Sequence, residues 1–167
     1  MALSEKVSSE LMAWEVYIGW TALCEEFSSP QDWARLEKAK WRKGELVFDE
    51  LQKKLNIPPG DPFTVAKAIG DWFTKTGYAK IQIHKVSDTQ IMYDMGDLIM
   101  LPILRSIRSR GFKVLAPEPS TTVFFAAFKK LCNMKAEDIP VPEELKASTP
   151  AGMGREMWRL TPLKKTK

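Results

Sequence analysis

His84 is the only histidine in this 167-residue chain and the side chain best suited to direct chemistry. An imidazole titrates near neutral pH, so His84 could serve as a general base or as a single axial ligand. One histidine cannot build a multi-histidine metal site, and a polar residue on a half-exposed strand is the structural alternative. Asp94 and Asp97 flank Met95-Gly96. Two carboxylates held at a fixed separation can share acid–base work. Asp97 also fits a helix N-cap, and Asp94 the end of a strand. Cys24 and Cys132 are the only thiols and lack C-x-x-C spacing, which argues against a cysteine zinc site or a disulfide framework. There is no G-x-x-x-x-G-K-[ST] and no G-x-G-x-x-G to cradle phosphates, and no serine in a G-x-S-x-G elbow. No catalytic set, no metal set and no identifiable cofactor site emerges.

Charge adds one more candidate. The chain holds 25 basic and 21 acidic side chains, a net charge of +4. Residues 101–167 carry 13 basic and 6 acidic side chains, so the excess belongs to the last third. Lys164, Lys165 and Lys167 make a polar tail over 164–167. Arg105, Arg108, Arg110 and Lys113 form a cluster in which Arg105 and Arg108 share a helical face at i, i+3. Such a face could meet an anionic group or an acidic partner, or be a solvated surface. Nucleic acid would call for a basic recognition helix. The helix before the predicted hairpin has only Lys67 and Lys75, offset by Asp61 and Asp71, which weakens a winged-helix alternative.

The elements that must position these groups follow from periodicity. Leu3, Val7, Leu11, Trp14 and Ile18 form one apolar stripe, and Met12, Val16, Trp20, Leu23 and Phe27 a second. A helix apolar on two sides needs two covers. One is its own core, and Trp14, Ile18, Trp20 and Leu23 are candidates for a homodimer contact. Ser29-Pro30 opens a helix expected to run to Leu55, with Trp33, Leu36, Val47, Phe48, Leu51 and Leu55 buried and Gly44 marking a bend or close packing. Asp61-Pro62 opens a third, with Gly77 as its left-handed stop. The period then changes to two. Ile81 and Ile83 alternate with Lys80, Gln82 and His84, and Ile91, Tyr93 and Met95 with Gln90 and Asp94, around a turn at Ser87-Asp88. Leu98 to Arg110 reads as helix, Phe112 to Leu115 as a short strand, and Ser120 as the cap of a helix to about Cys132. Residues 134–154, with Pro140, Pro142, Pro150, Gly152 and Gly154, read as a long irregular excursion. Arg155 to Leu163 returns as a closing strand. The expected fold is α+β: N-terminal helices, a β-hairpin, further helices and a C-terminal strand in a small antiparallel sheet, one domain over 1–163.

The stretch FTVAKAIGDWFTKTGYAKIQIHKVSDTQIMYDM, from Phe63 to Met95, resembles the helix–glycine–strand–strand segment of the 4-vinyl-reductase domain family, which shares its fold with the TRAPP transport subunits. The resemblance covers roughly Leu46 to Cys132. It implies an α+β fold, dimerisation through helices, and a buried pocket for a lipid or other apolar small molecule. Many members of that family carry C-terminal cysteines. Nothing after Cys132 is cysteine here, so no metal role is carried over, and no family catalytic residue can be placed.

The expectation is a cytoplasmic, dimeric small-molecule-binding or sensory domain, not an enzyme, for an apolar or anionic ligand. Met92, Met95, Met100, Phe124 and Phe128 are pocket candidates, with Arg105, Arg108 or His84 at a polar mouth. Core packing would use the same apolar residues. The alternatives are a winged-helix-like nucleic-acid-binding protein and a small enzyme using His84. No stretch is apolar for long enough to span a membrane, and Met1 to Glu10 lacks the apolar run of a signal peptide.

Overall fold

The computed structural model describes residues 19, 30–98, 109 and 119–164. The predicted helices at Leu3–Phe27 and Leu98–Arg110 and the strand at Phe112–Leu115 lie outside the described residues, apart from Gly19 and Ser109, which are helical. The chain divides into two compact units, Met1–Lys40 with Met100–Pro117 and Trp41–Ile99 with Glu118–Lys167. The first is described only at Gly19, Ser109 and the opening turns of α1 (Pro30–Leu55). The second holds the sheet and the candidate site.

In the second unit, α2 (Pro62–Lys75) starts as the sequence predicts. Asp61 accepts from the Thr64 amide at 2.9 Å, and Pro62 fills the first turn, where no amide is needed. Val65, Ala66, Ile69 and Phe73 form its buried stripe. Gly77, at φ +73°, takes the left-handed stop that a Cβ would strain. Strands β1 (Lys80–Ser87) and β2 (Gln90–Gly96) follow. The turn is Asp88-Thr89, one residue later than predicted, because a bulge between Lys85 and Ser87 shifts the register. Then come α3 (Pro119–Leu131), β3 (Met134–Ile139), the single turn α4 (Glu143–Lys146) and β4 (Met153–Pro162).

The sheet is antiparallel with order β1-β2-β4-β3. This α+β architecture is the predicted class, and among the described residues it contains a strand, β3, that the sequence did not predict. The excursion 134–154 holds β3 and α4, and the closing strand begins at Met153. Lys135, Glu137 and Asp138 masked β3, whose only buried side chain is Ala136.

Strand alternation sorts the side chains. Ile81, Ile91, Tyr93, Trp158 and Leu160 are buried on the helix side, under α2 and α3. Tyr93 stacks on Trp158 at 4.8 Å, and Phe124 meets both rings at 5.5 and 5.2 Å. Two glycines let helices approach. A Cβ on Gly70 would lie 2.9 Å from Ile81 Cγ2, and one on Gly44 would lie 2.5 Å from Thr122 Cβ. Gly44 is thus the predicted close packing, of α1 on α3. Val47 departs from expectation. It is 42% exposed, because Phe48 and Leu51 take the inward face of α1. Ser120 does not cap: its buried hydroxyl accepts from Tyr93 Oη at 3.0 Å.

Candidate functional site

Helical spacing builds one wall of a groove. Trp41 and Glu45 stand one turn apart on α1, and Thr122, Phe125, Ala126 and Lys129 follow at i, i+3, i+4 and i+7 on α3. Gly44 brings the two helices close. Met134, Lys135 and Ala136 of β3 and Leu163 after β4 complete the lining. The groove encloses about 440 Å³. Trp41 stacks on Phe125 with centroids 5.5 Å apart and planes 14° apart.

The groove lining is mostly apolar, with Glu45, Lys129 and Lys135 as its charged members. Lys129 Nζ meets Glu45 Oε1 at 3.0 Å, and Arg42 Nη1 meets Glu45 Oε2 at 3.0 Å. The hydrogen bond from Lys129, then that from Arg42, hold the Glu45 carboxyl below its usual pKa. Lys135 is exposed on the opposite, strand side. An apolar body with a polar or anionic end fits such a lining.

Two smaller grooves lie elsewhere in this unit. One, about 350 Å³, runs between α1 and α2, lined by Leu46, Val47, Leu51, Trp72 and Phe73 with Glu50 and Lys54. The other, about 290 Å³, lies between α2 and β1, where Lys67, Asp71, Gln82 and His84 meet Ile81 and Ile83. Lys67 and Asp71 pair with each other at 2.7 Å.

The face of the sheet away from α2 and α3 carries an ionic cluster. The register sets Asp94 opposite Gln82 on one side and Arg155 on the other. Asp94 is fully enclosed, and the Arg155 side chain is 5% exposed. Arg155 Nε and Nη2 donate to the two Asp94 oxygens at 2.6 and 2.7 Å, a bidentate pair. Arg155 Nη1 also donates to the Leu145 carbonyl, and to Ser148 Oγ at 2.8 Å. The hydrogen bond to Asp94 raises the guanidinium pKa further above its ordinary value. His84 Nε2 stands 3.1 Å from Asp94 Oδ2, with its side chain 41% exposed. A carboxylate bound to arginine accepts here, so Nε2 is the donor of this contact.

The structure disperses the candidate residues. Phe124 and Phe128 are enclosed in the aromatic core. Met95 faces the same side, its sulfur 2.9 Å from Tyr93 Oη. His84 pairs in register with Met92, on the opposite face. Met100, Arg105 and Arg108, and the dimer candidates Trp14, Ile18, Trp20 and Leu23, lie outside the described residues. Asp94 is no strand-end residue but the centre of the ionic cluster. Arg155 and Ser148 escaped notice because nothing local pairs them with residue 94. Phe125 belongs, with Phe124 and Phe128, to the Phe-rich stretch able to line a pocket, whereas Trp41 gave no signal beyond its i, i+4 company with Glu45.

Burial, then the nearby Asp61 charge, push the Cys132 thiol up to about 11. Among the described residues, no group of three or more His, Cys, Asp or Glu is placed to hold a metal ion. No described helix is long and apolar enough to cross a membrane. The hairpin is not a free wing, since β2 pairs along its length with β4.

No protein-family model and no curated protein matches the chain. Among solved structures, a trafficking protein particle complex subunit 3 from Naegleria fowleri, crystallised covalently bound to palmitic acid, is similar. The TM-score is 0.64 at 17% identity, covering 96% of this chain and 99% of that one. At that identity the likeness is one of architecture, and this chain has the α+β fold of a TRAPP subunit.

Proposed function

We propose that this chain is a non-catalytic binding module for an apolar or amphipathic small molecule. The observation that carries the proposal is the groove between α1, α3 and β3. Its volume, about 440 Å³, lies within the range of small-molecule sites. Its walls are Trp41, Phe125, Ala126, Met134, Ala136 and Leu163, and Lys129 and Lys135 can meet an anionic end. An apolar chain laid along these walls gains roughly 0.8 kcal/mol per buried methylene. A fatty acid has that form. The fold likeness supports the same class, since the similar subunit holds palmitic acid. The proposed binding is non-covalent. Cys132 is not part of the groove lining, and its raised pKa makes it a poor nucleophile.

Native mass spectrometry of protein purified without detergent tests the proposal, together with thermal shift against saturated fatty acids of increasing length. The expected result is a co-purified or added fatty acid at one per chain. Its stabilisation should reach about 2.7 kcal/mol at a hundredfold excess over Kd. Absence of both adduct and shift across the series would remove the proposal.

A further inference from the structure

Strand β1 is an edge of the sheet among the described residues, but its backbone is not open along its whole length. The Ile81 amide donates to Thr74 Oγ1 at 3.0 Å, so Ile81 turns its main-chain groups away from β2 and toward α2. In an antiparallel ladder, successive residues turn these groups to alternate sides. Gln82 and His84 therefore bond to β2, opposite Asp94 and Met92, while Ile83 and Lys85 point outward like Ile81. Just past Lys85 a bulge breaks the regular pairing. Thr74 thus covers one end of the edge and the bulge closes the other. Between them the amides and carbonyls of Ile83 and Lys85 have no partner among the described residues.

A groove of about 290 Å³ runs beside this window, between β1 and the Lys67, Gly70 and Asp71 face of α2. Gly70 brings the helix close: a Cβ there would lie 3.2 Å from Ile83 Cγ1. Strand alternation gives the edge two chemically distinct sides. Ile81 and the half-buried Ile83 lie on the α2 side. Lys80 and His84 lie on the other, where Lys80 makes no ion pair among the described residues. The strand carries no acid. The nearby carboxylates of Asp71 and Asp88 are already paired, with Lys67 and Lys85, at 2.7 Å each. Basic side chains guard a sheet edge against indiscriminate pairing. That guard repels a basic strand and attracts an acidic one.

We infer that the β1 edge from Ile83 to Lys85 takes an extended segment of a partner protein whose side chains alternate acidic and apolar. The partner's main chain adds to the sheet through the open groups of Ile83 and Lys85. Its apolar side chains lie in the groove against Ile83. Its acidic side chains stand opposite Gln82 and His84, within reach of Lys80. A window this short makes a contact well under the roughly 1,200 Å² of a standard interface, so the association is weak and reversible. The site is separate from the groove between α1, α3 and β3 and does not depend on the ligand proposal.

Fluorescence anisotropy of the full chain with a labelled, acetylated heptapeptide alternating glutamate and valine tests the inference. A lysine–valine heptapeptide is the control, and amide hydrogen exchange followed by NMR reads the position. The expected result is saturable binding of the glutamate–valine peptide, with affinity at least tenfold lower for the lysine–valine peptide. Affinity should also be at least threefold lower in Lys80→Glu, an exposed position whose circular dichroism should match wild type. In the free chain the Ile83 and Lys85 amides should exchange fast and those of Gln82 and His84 slowly. Bound peptide should slow Ile83 and Lys85. No binding of the glutamate–valine peptide overturns the inference, as does equal binding of the two peptides or an unchanged affinity in Lys80→Glu. Protection that appears elsewhere overturns it too, and so does an Ile83 amide already slow in the free chain, which would show the edge to be covered.

Discussion

Arg155 and Asp94 form a bidentate pair, Nε to Oδ1 at 2.6 Å and Nη2 to Oδ2 at 2.7 Å, on a face of the sheet where the carboxylate is fully enclosed. The pair does two jobs. It neutralises a carboxylate that water cannot reach. It also leaves Arg155 Nη1 to hold the segment after α4 through the Leu145 carbonyl and Ser148 Oγ.

Removing one partner of an enclosed ion pair leaves the other uncompensated. Asp94→Ala is expected to lower unfolding free energy by about 3 kcal/mol or more, read from urea denaturation. It should also speed proteolytic cleavage near Ser148, because Arg155 loses its fixed orientation. His84→Ala leaves the bidentate pair intact and is expected to cost less than Asp94→Ala. Equal midpoints for wild type and Asp94→Ala would contradict the role given to the pair.

Gly44 offers a prediction in which two effects oppose. Glycine to alanine in a helix interior normally stabilises by up to about 1 kcal/mol. Here the added Cβ would meet Thr122 Cβ at 2.5 Å and the Thr122 backbone at 2.7 Å. Backbone cannot swing aside as a flexible side chain can, so overpacking outweighs propensity. Gly44→Ala is expected to destabilise by about 1–3 kcal/mol. A raised melting temperature would show that α1 and α3 are not in the contact described.

Cys132 should be slow to alkylate. With its pKa pushed up to about 11, only about one thiol in a thousand is ionised at pH 8. In a Cys24→Ser background the iodoacetamide rate at that pH is expected about a hundredfold below that of an unperturbed thiol. The linkage has a definite sign. A folded pKa above the unfolded one gives stability that is whole below the ordinary thiol pKa and is lost as pH climbs toward 11. Stability should therefore decline at alkaline pH less steeply in Cys132→Ser. Alkylation as fast as a free thiol would place the side chain in water.

Local signals were legible and long-range ones were not. The Asp61-Pro62 start, the Gly77 stop and the period-two runs around Asp88 are rules that act within a few residues, and they appear where the sequence predicts them. Strand β3 was hidden, because it is short and three of its six side chains are charged. Phe124 and Phe128 illustrate the ambiguity of apolar residues: pocket walls and packed cores draw on the same side chains, and here both are enclosed. The groove depends on α1, α3 and β3 meeting, so Trp41 and Phe125 acquire their relation only through tertiary packing. Arg155 is 61 residues from Asp94, and only the β2–β4 register makes them neighbours.

The groove is the centre of the proposed function, and Ala126 is one of the small side chains that line it, so its enlargement should occupy the space. Titration calorimetry of a long-chain saturated fatty acid into wild type and Ala126→Trp tests it directly. Wild type is expected to bind saturably at one ligand per chain, with affinity at least tenfold lower in Ala126→Trp while circular dichroism shows the fold retained. No binding to wild type, or equal affinity in the two proteins, would contradict it.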